Sequence, residues 1–214
     1  MSGLLKQCTS GVAAMVLILL AGCSQPATSP SVSAHSEAAT EAAAPAQVVP
    51  AKTAFWPMYT AAHQWAPDVV VLRVTAKEVP GFKNEAGKAA MWEGAFGSPS
   101  RGKYRLFTWS IAEVLPAIHK GVAGGLEMPW GGVTRTAMPV DPSMFNVDSD
   151  AAFTSAAADA ADWLKKNPGK PITALEIADT YKYPTPVWYV MWGNKQAGYA
   201  ALVDASSGNV LKHK

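Results

Sequence analysis

Apolar residues recur at helical spacing in two parts of this chain. A first helix is predicted to begin near Pro57 and to end before Pro67, because proline suits the first turn of a helix and cannot continue one. A second helix is predicted over 150–166, with Asp148 or Ser149 as its N-cap. Both helices precede segments rich in β-branched and aromatic residues.

Those segments predict seven strands, which span 69–75, 90–96, 103–111, 171–178, 186–192, 198–204 and 209–212. In the 186–192 strand, Trp188, Val190 and Trp192 share one face, and the other face is apolar as well. Such a strand is covered on both sides, or its second face meets a partner. We expect Trp188 to lie in the core, and Trp192, beside the turn at Gly193, to be the candidate binding surface.

The order of elements predicts an α+β fold with two helix-plus-antiparallel-sheet units. The first unit spans 53–115 and the second 149–214, and a connector rich in Gly, Pro and Met over 116–148 joins them. An ungapped shift of 96 residues aligns seven identical residues, where composition predicts about one or two. The pairs are Trp92 with Trp188, Gly97 with Gly193, Gly102 with Gly198, Leu106 with Leu202, Ser110 with Ser206, Val114 with Val210 and Leu115 with Leu211. The shift favours a divergent tandem repeat over two unrelated halves.

The first 22 residues have the three parts of an export signal: a positive charge at Lys6, an apolar run over 12–20, and small residues before Cys23. The run is about half the length that a membrane-spanning helix needs. The ending Leu20-Ala-Gly-Cys23 resembles the lipobox of bacterial lipoproteins. This resemblance implies cleavage before Cys23 and lipidation of its thiol. An ordinary secretory signal with a chance cysteine is the alternative.

Residues 23–52 are predicted to be a disordered tether behind the lipidated cysteine. They are rich in Ser, Ala, Pro and Thr, and no aromatic residue precedes Phe55. If flexible, the tether spans about 30 Å. Ser24 stands where an Asp retains many lipoproteins at the inner membrane, so the resemblance favours the outer membrane. The expected location is the cell envelope, facing the periplasm, with the lipid holding the chain on the membrane.

The second half ends in an apolar strand, Tyr199-Ala-Ala-Leu-Val203, followed by Asp204, Ala205 and Gly208 at fixed spacing. This pattern resembles the end of a PepSY domain over roughly 150–212. The first half departs from it, because Thr108-Trp-Ser-Ile-Ala112 stands at the matching position. The resemblance implies a helix on a small antiparallel sheet, extracytoplasmic binding, in some members restraint of a peptidase, and no chemistry of its own.

The sequence contains none of the common catalytic motifs, and no cofactor or metal is expected. Its two cysteines, Cys8 and Cys23, belong to the signal and the lipid, so no thiol is left in the folded part as a nucleophile. His63 and His119 have no close second ligand, and a metal site needs three or four. Removing Lys6 leaves 17 basic and 16 acidic side chains, a balance that gives no reason to expect nucleic acid.

Three carboxylates have alternative roles. Glu176 and Asp179 lie on or after a predicted strand, and an acid–base pair there would need a second group close by. Asp204 is predicted to organise a turn with Gly208. The glycine-rich segment 121–132 is a mobile connector or a binding loop.

We therefore expect a non-enzymatic binding or regulatory module with an unknown protein or peptide partner. The alternatives are an envelope hydrolase with a scattered active site and a structural envelope protein. A pocket that gathers His63 and Glu176 would favour the hydrolase, and an exposed aromatic strip would favour binding.

Overall fold

The computed structural model describes residues 47–211. Its helices are α1 (Ala51–Trp65), α2 (Ser149–Asp159) and α3 (Ala161–Lys166). Its strands are β1 (Val70–Lys77), β2 (Met91–Ser98), β3 (Lys103–Ser110), β4 (Gly121–Pro129), β5 (Ile172–Ala178), β6 (Val187–Trp192), β7 (Tyr199–Asp204) and β8 (Val210–Leu211). The predicted signal peptide, Cys23, Ser24, the tether up to residue 46 and His213 lie outside the described residues.

The strands form one antiparallel sheet in the order β4-β3-β2-β1-β5-β6-β7-β8. The α+β prediction is confirmed, since helices and an antiparallel sheet are both present. The two predicted units are not separate, however. Strands β1 and β5 pair through Arg73 with Ala178, Val74 with Ile177, and Thr75 with Glu176. This ladder joins both halves into a single sheet.

Two tryptophans lie at the centre of the core. Trp92 on β2 and Trp188 on β6 are fully buried, and their ring centroids are 6.4 Å apart in an edge-to-face arrangement. Each indole N–H donates to a main-chain carbonyl, Trp92 to Val49 at 3.1 Å and Trp188 to Val147 at 2.9 Å. A buried indole needs such a partner. Residues before each helix are therefore part of the folded structure.

Helix α1 begins six residues before Pro57, earlier than the predicted boundary at residue 53. Its first main-chain N–H groups donate to side chains of the other half, Ala51 to Ser149 Oγ at 2.9 Å and Lys52 to Asp148 Oδ1 at 3.0 Å. These bonds satisfy donors that a helix start leaves unpaired. The helix tolerates Pro57 in its second turn.

The predicted connector contains a strand. Strand β4 pairs with β3 along its length, with a register shift between Arg105 and Phe107. Three of its nine residues are glycine, which lowers strand propensity and hides the element in the sequence. The helix predicted over 150–166 consists of two helices in the structure. Ala160 lies between α2 and α3, and its ψ near 0° interrupts the helical backbone.

All three helices pack on one face of the sheet. From α1, Tyr59 contacts the ring of Phe96; from α2, Phe153 contacts Trp192; from α3, Trp163 contacts Tyr199. The alternation of side chains places all of these strand residues on the face that carries Trp92 and Trp188. Within residues 47–211, the structure has no helix that combines the length and the apolar character of a membrane span.

Candidate binding surfaces

The opposite side of the sheet, here called the back face, carries the alternate side chains of the same strands. It is polar at its centre. Lys77 pairs with Glu93 at 2.9 Å, and the Thr75 hydroxyl donates to Glu176 at 3.3 Å. Arg73 approaches the same Glu176 carboxylate at 3.8 Å. The described helices leave this face open.

A cavity of about 330 Å³, the back-face pocket, lies over β5, β6 and β7. Its floor includes Glu176, Val187, Tyr189 and Leu202, and the 180–183 loop forms one wall. An apolar floor with a few polar groups is the usual composition of a ligand site.

Two contacts fix the wall of the back-face pocket. The Arg135 guanidinium stacks on the ring of Tyr181 at 4.1 Å from the ring centroid, and the Tyr181 N–H donates to the Arg135 carbonyl at 3.0 Å. The hydroxyl oxygen of Thr180, which also lines the pocket, is buried and has no hydrogen-bond partner among the residues described. A buried polar atom of this kind is an available contact for a ligand.

Two titratable groups here are shifted in the direction of their neutral forms. Burial, and secondly the charge of Glu176, raise the pKa of the Tyr189 hydroxyl, which donates to Met191 Sδ at 3.0 Å. Burial raises the pKa of the Asp179 carboxyl, against a hydrogen bond from the Thr180 main chain. Burial thus disfavours the charged form of both groups.

A larger cavity of about 1000 Å³, the central cleft, opens where β1 and β5 separate. The two strands pair over three residues, although β1 continues to Lys77 and β5 begins at Ile172. The cleft lies between the 78–88 loop and residues 169–175, and Ala76, Leu175 and Trp192 are among the apolar residues that line it.

Trp192 corrects one prediction. Its side chain is 3% exposed and packs near Phe153 and Tyr199, with ring centroids 5.9 Å and 6.5 Å away. Strand β6 lies between β5 and β7, and α2 covers the Trp192 face, so this tryptophan belongs to the core rather than to an exposed surface. Of the predicted role in binding, one observation is left: Trp192 is among the residues that line the central cleft.

Asp204 organises the turn between β7 and β8. Its carboxylate accepts from Thr185 Oγ1 at 2.6 Å and from the N–H groups of Ser206 and Ser207 at 2.7 and 2.9 Å. Burial opposes ionisation, but these hydrogen bonds outweigh it and hold the pKa of Asp204 below its usual range. Gly208 follows with φ of +78° and donates to the Asp204 carbonyl at 2.8 Å. The Asp204 carboxylate therefore has a structural role, as predicted, because its oxygens accept hydrogen bonds from the turn and from Thr185.

The structure does not bring the predicted hydrolase residues together. His63 is exposed on α1, against Tyr59, whereas Glu176 lies on the back face across the sheet. His119 lies 4.0 Å from Glu113 on an exposed loop. In the part of the chain that the structure describes, no three His, Cys, Asp or Glu side chains are arranged to hold a metal.

The loops that form both cavities, 78–88 and 180–183, were not predicted as site segments. Their sequences carry turn signals, Pro80-Gly81 in the first and Pro184 just after the second, but no residue pattern that indicates binding. Their role depends on the sheet that places them.

Comparison with known proteins gives no family. No family model matches the chain, and none of the curated proteins matches it. The crystal structure of a candidate lipoprotein from Clostridium difficile 630 is similar at 10% identity and a TM-score of 0.46, covering 72% of this chain and 87% of that one. This likeness assigns no function, and the resemblance to PepSY domains rests on the sequence pattern alone.

Proposed function

We propose that this chain is a lipid-anchored, extracytoplasmic binding protein without catalytic activity, and that the back-face pocket contacts a protein or peptide partner. The observation that carries the proposal is the pocket itself. It is a cavity of about 330 Å³ on the face of the sheet that the described helices leave open. The floor is largely apolar, and polar groups stand at its edge.

The chemistry of the pocket supports binding over hydrolysis. Glu176 is already engaged by Thr75 and lies near Arg73, and the Tyr189 hydroxyl donates to Met191 Sδ. No histidine, serine or cysteine lines the pocket. A general base needs a nucleophile within hydrogen-bond reach. The hydroxyl groups that line the pocket belong to threonine and tyrosine, and the hydroxyl that bonds to Glu176 is that of Thr75.

The size and composition of the pocket support a protein or peptide partner. A volume of about 330 Å³ is at the low end of small-molecule sites, and it accommodates one large side chain or a short segment. Tyr181, Tyr183 and Tyr189 line it, and tyrosine is enriched in the contact surfaces of protein interfaces.

Site-specific photo-cross-linking tests this function. A benzophenone amino acid would replace Tyr183 at the pocket in the full chain, in the cells that produce it, and Thr154 on the exposed side of α2 as a control. We expect a cross-linked species of defined mass from position 183 that is absent from position 154. Glu176→Gln should reduce its yield, since it alters the charge at the pocket floor. Equal products at both positions, or none at 183, would contradict the proposal.

The anchor is proposed on the Leu20-Ala-Gly-Cys23 pattern, with Ser24 favouring the outer membrane. Cys23→Ala should abolish incorporation of labelled fatty acid and release the protein from the membrane fraction. Cys8→Ala is the matched control and should change neither. Undiminished labelling in Cys23→Ala would refute lipidation at this site without bearing on the pocket.

We also infer that the chain is a divergent tandem repeat of two PepSY-like units. In each half, helical structure is followed by four strands that lie in sequence order from the centre of the sheet to one edge. The Val49 and Val147 carbonyls, each two residues before α1 or α2, accept equivalent hydrogen bonds from the Trp92 and Trp188 indoles. The 96-residue shift matches β2 with β6 and β3 with β7. It fails beyond them, because Val114 and Leu115 lie in a loop and not on a strand equivalent to β8.

A further inference from the structure

We propose that the solvent-exposed side of α1, here called the outer face of α1, lies against the membrane surface when the lipid anchor holds the chain there. The outer face consists of Thr53, Trp56, Pro57, Thr60, His63 and Gln64. The partner is a lipid surface, contacted at the level of its headgroups. The inference rests on the proposed lipid anchor and goes beyond it, because an anchor alone leaves the orientation of the folded part undefined.

The outer face of α1 differs from most exposed helix surfaces because it contains no Asp, Glu, Lys or Arg. Its residues follow one another at spacings of three and four, so they form one continuous stripe opposite the buried side of the helix. A surface helix usually carries charged residues on that side. The exposed positions of α2 and α3 include four of them, Asp159, Asp162, Lys165 and Lys166. The outer face of α1 can therefore leave water without the desolvation of a formal charge.

The centre of the outer face is aromatic. The Trp56 side chain is 48% exposed, and its ring packs edge-to-face near Tyr59, with the centroids 5.9 Å apart. The Tyr59 ring meets the His63 ring in the same way at 4.5 Å. Rings with an apolar body and a polar edge are enriched where proteins meet the headgroup region of a bilayer. Three such rings along one side of α1 provide a contact surface for that region.

The groups around the C-terminal end of α1 have a small surplus of positive charge. Three cations, Arg101, Lys103 and Arg105, outnumber the two carboxylates, Asp68 and Glu127. Both carboxylates already accept hydrogen bonds within the fold. The side chains of Arg101 and Lys103 are nevertheless 46% and 47% exposed. Exposed cations beside an uncharged aromatic surface favour a membrane that contains anionic lipids.

The chain enters the fold beside α1. Among the residues described, Val49 is the first to make main-chain hydrogen bonds, with Ala89, and α1 begins two residues later. The predicted tether between Cys23 and this point spans about 30 Å if flexible. A tether of that length holds the outer face at an effective concentration on the order of millimolar relative to the membrane. A weak affinity for lipid is then sufficient to orient the folded part.

This orientation is compatible with the proposed role of the back-face pocket. The helices pack on one face of the sheet, and the back-face pocket lies on the other. With α1 against the membrane, the pocket points away from the lipid, where a protein or peptide partner can reach it.

Fluorescence quenching by a labelled lipid tests the proposal in the anchored chain. In a chain with Cys8→Ala, the Cys23 thiol carries the lipid, so Thr60→Cys supplies the sole free thiol on the outer face. Thr136→Cys is the matched control, since Thr136 is an exposed threonine at the back-face pocket. Each thiol carries the same small fluorophore, and the lipoprotein is reconstituted in vesicles of phosphatidylethanolamine and phosphatidylglycerol with a headgroup-nitroxide lipid. We expect quenching to be about twofold or more stronger at position 60 than at position 136, as for a residue at headgroup level.

Trp56→Ala in the Thr60→Cys chain tests the aromatic contact. Because Trp56 is half exposed, its truncation leaves the core intact, which far-UV circular dichroism checks. We expect quenching at position 60 to fall toward the level at position 136. Tyr181→Ala removes an aromatic side chain that is 50% exposed on the opposite side of the sheet, and it should leave quenching at position 60 unchanged.

Failure of the anchor and failure of the outer face give different results. If the chain is not anchored, it incorporates no labelled fatty acid and does not stay with the vesicles, and both proposals fall. If it is anchored but α1 is not the contact, the protein stays with the vesicles while quenching is equal at the two positions or stronger at 136, which overturns this proposal alone. Unchanged quenching in the Trp56→Ala chain would overturn it as well.

Discussion

Asp68 is a single carboxylate that connects the segment after α1 to the turn between β2 and β3. The Ser98 hydroxyl and the Ser100 N–H both donate to it at 2.7 Å. These hydrogen bonds, that from Ser98 first, hold the pKa of Asp68 at about 2. Asp68 is half-buried, and burial would raise its pKa, so the lowered pKa is an effect of the hydrogen bonds.

Asp68→Asn should therefore change how stability depends on acid. The folded pKa lies below the usual value of about 3.9, so Asp68 stabilises the fold above about pH 4, and this contribution disappears as pH falls to about 2. In urea unfolding, the wild type should be more stable than the variant at pH 7 and equal to it near pH 2. A gap that stays constant with pH would show that the ionised carboxylate is not responsible.

We expect truncation of Trp188 and truncation of Trp192 to destabilise the fold to a similar extent. Both are buried on the helix-bearing face of β6, and truncation of a core tryptophan to alanine costs about 3–5 kcal/mol. Trp188→Ala and Trp192→Ala should each lower the urea midpoint strongly. Trp56, 48% exposed on α1, is the control and Trp56→Ala should cost far less. A small effect of Trp192→Ala would restore the expectation that it is a surface residue.

At the scale of elements, the helix starts depend on each other. Asp148 caps α2 through the Ser149 N–H at 2.7 Å and also accepts from Lys52 in α1. The loop before β2 reaches the same place, because a Cβ at Gly87 would lie 2.6 Å from Asp150 Cα and 2.8 Å from Phe153 Cβ. The start of α2 is thus a junction of three elements from both halves.

Gly87→Ala should be markedly more destabilising than Gly81→Ala. Both glycines have positive φ, +79° and +84°, so both substitutions carry the same backbone strain of about 1 kcal/mol. Only position 87 adds a clash with α2, since nothing lies within 4 Å of a Cβ at Gly81. Thermal unfolding of both variants measures the difference. Equal shifts in Tm would show that the loop does not pack tightly on the helix.

The same elements explain how far the sequence predicts the fold. Local periodicity locates β3, β5, β6 and β7 to within a residue or two, because alternating β-branched and aromatic side chains are a short-range signal. Strand β4 was missed, since its pairing with β3 compensates for three glycines. The start of α1 was missed because its caps, Asp148 and Ser149, are almost a hundred residues away.

The candidate sites were less predictable than the strands. Sequence reasoning named Trp192 and placed Glu176 on a strand, but the exposure of each depends on which face the helices cover. The back-face pocket needs the 180–183 loop, and the central cleft needs the separation of β1 from β5. These are properties of long-range pairing, for which a single sequence contains no local pattern.

At the scale of the whole molecule, the two halves have a joint core. One hydrophobic cluster includes buried residues from α1, from α2 and from six of the strands, on both sides of the β1–β5 ladder, with Trp92 against Trp188 at its centre. The ladder itself has only three residue pairs. The halves are therefore joined mainly by side-chain packing and by the helix caps, and neither buries its central tryptophan alone.

We predict that the folded part unfolds as one cooperative unit and that its second half does not fold by itself. In the full chain, urea transitions followed by tryptophan fluorescence and by far-UV circular dichroism should coincide, as expected for a single core. A fragment of residues 149–214 loses the Trp92 and Phe145 rings that pack on Trp188 and the Val147 carbonyl that accepts its indole N–H, and it leaves β5 as an unpaired edge. This fragment should show the emission of solvent-exposed tryptophan and no cooperative transition.

Mixing the 149–214 fragment with a fragment of residues 1–148 should restore the emission of buried tryptophan, and Trp92→Ala in the 1–148 fragment should weaken this effect. A sharp unfolding transition of the isolated second half would show instead that the molecule consists of two independent units.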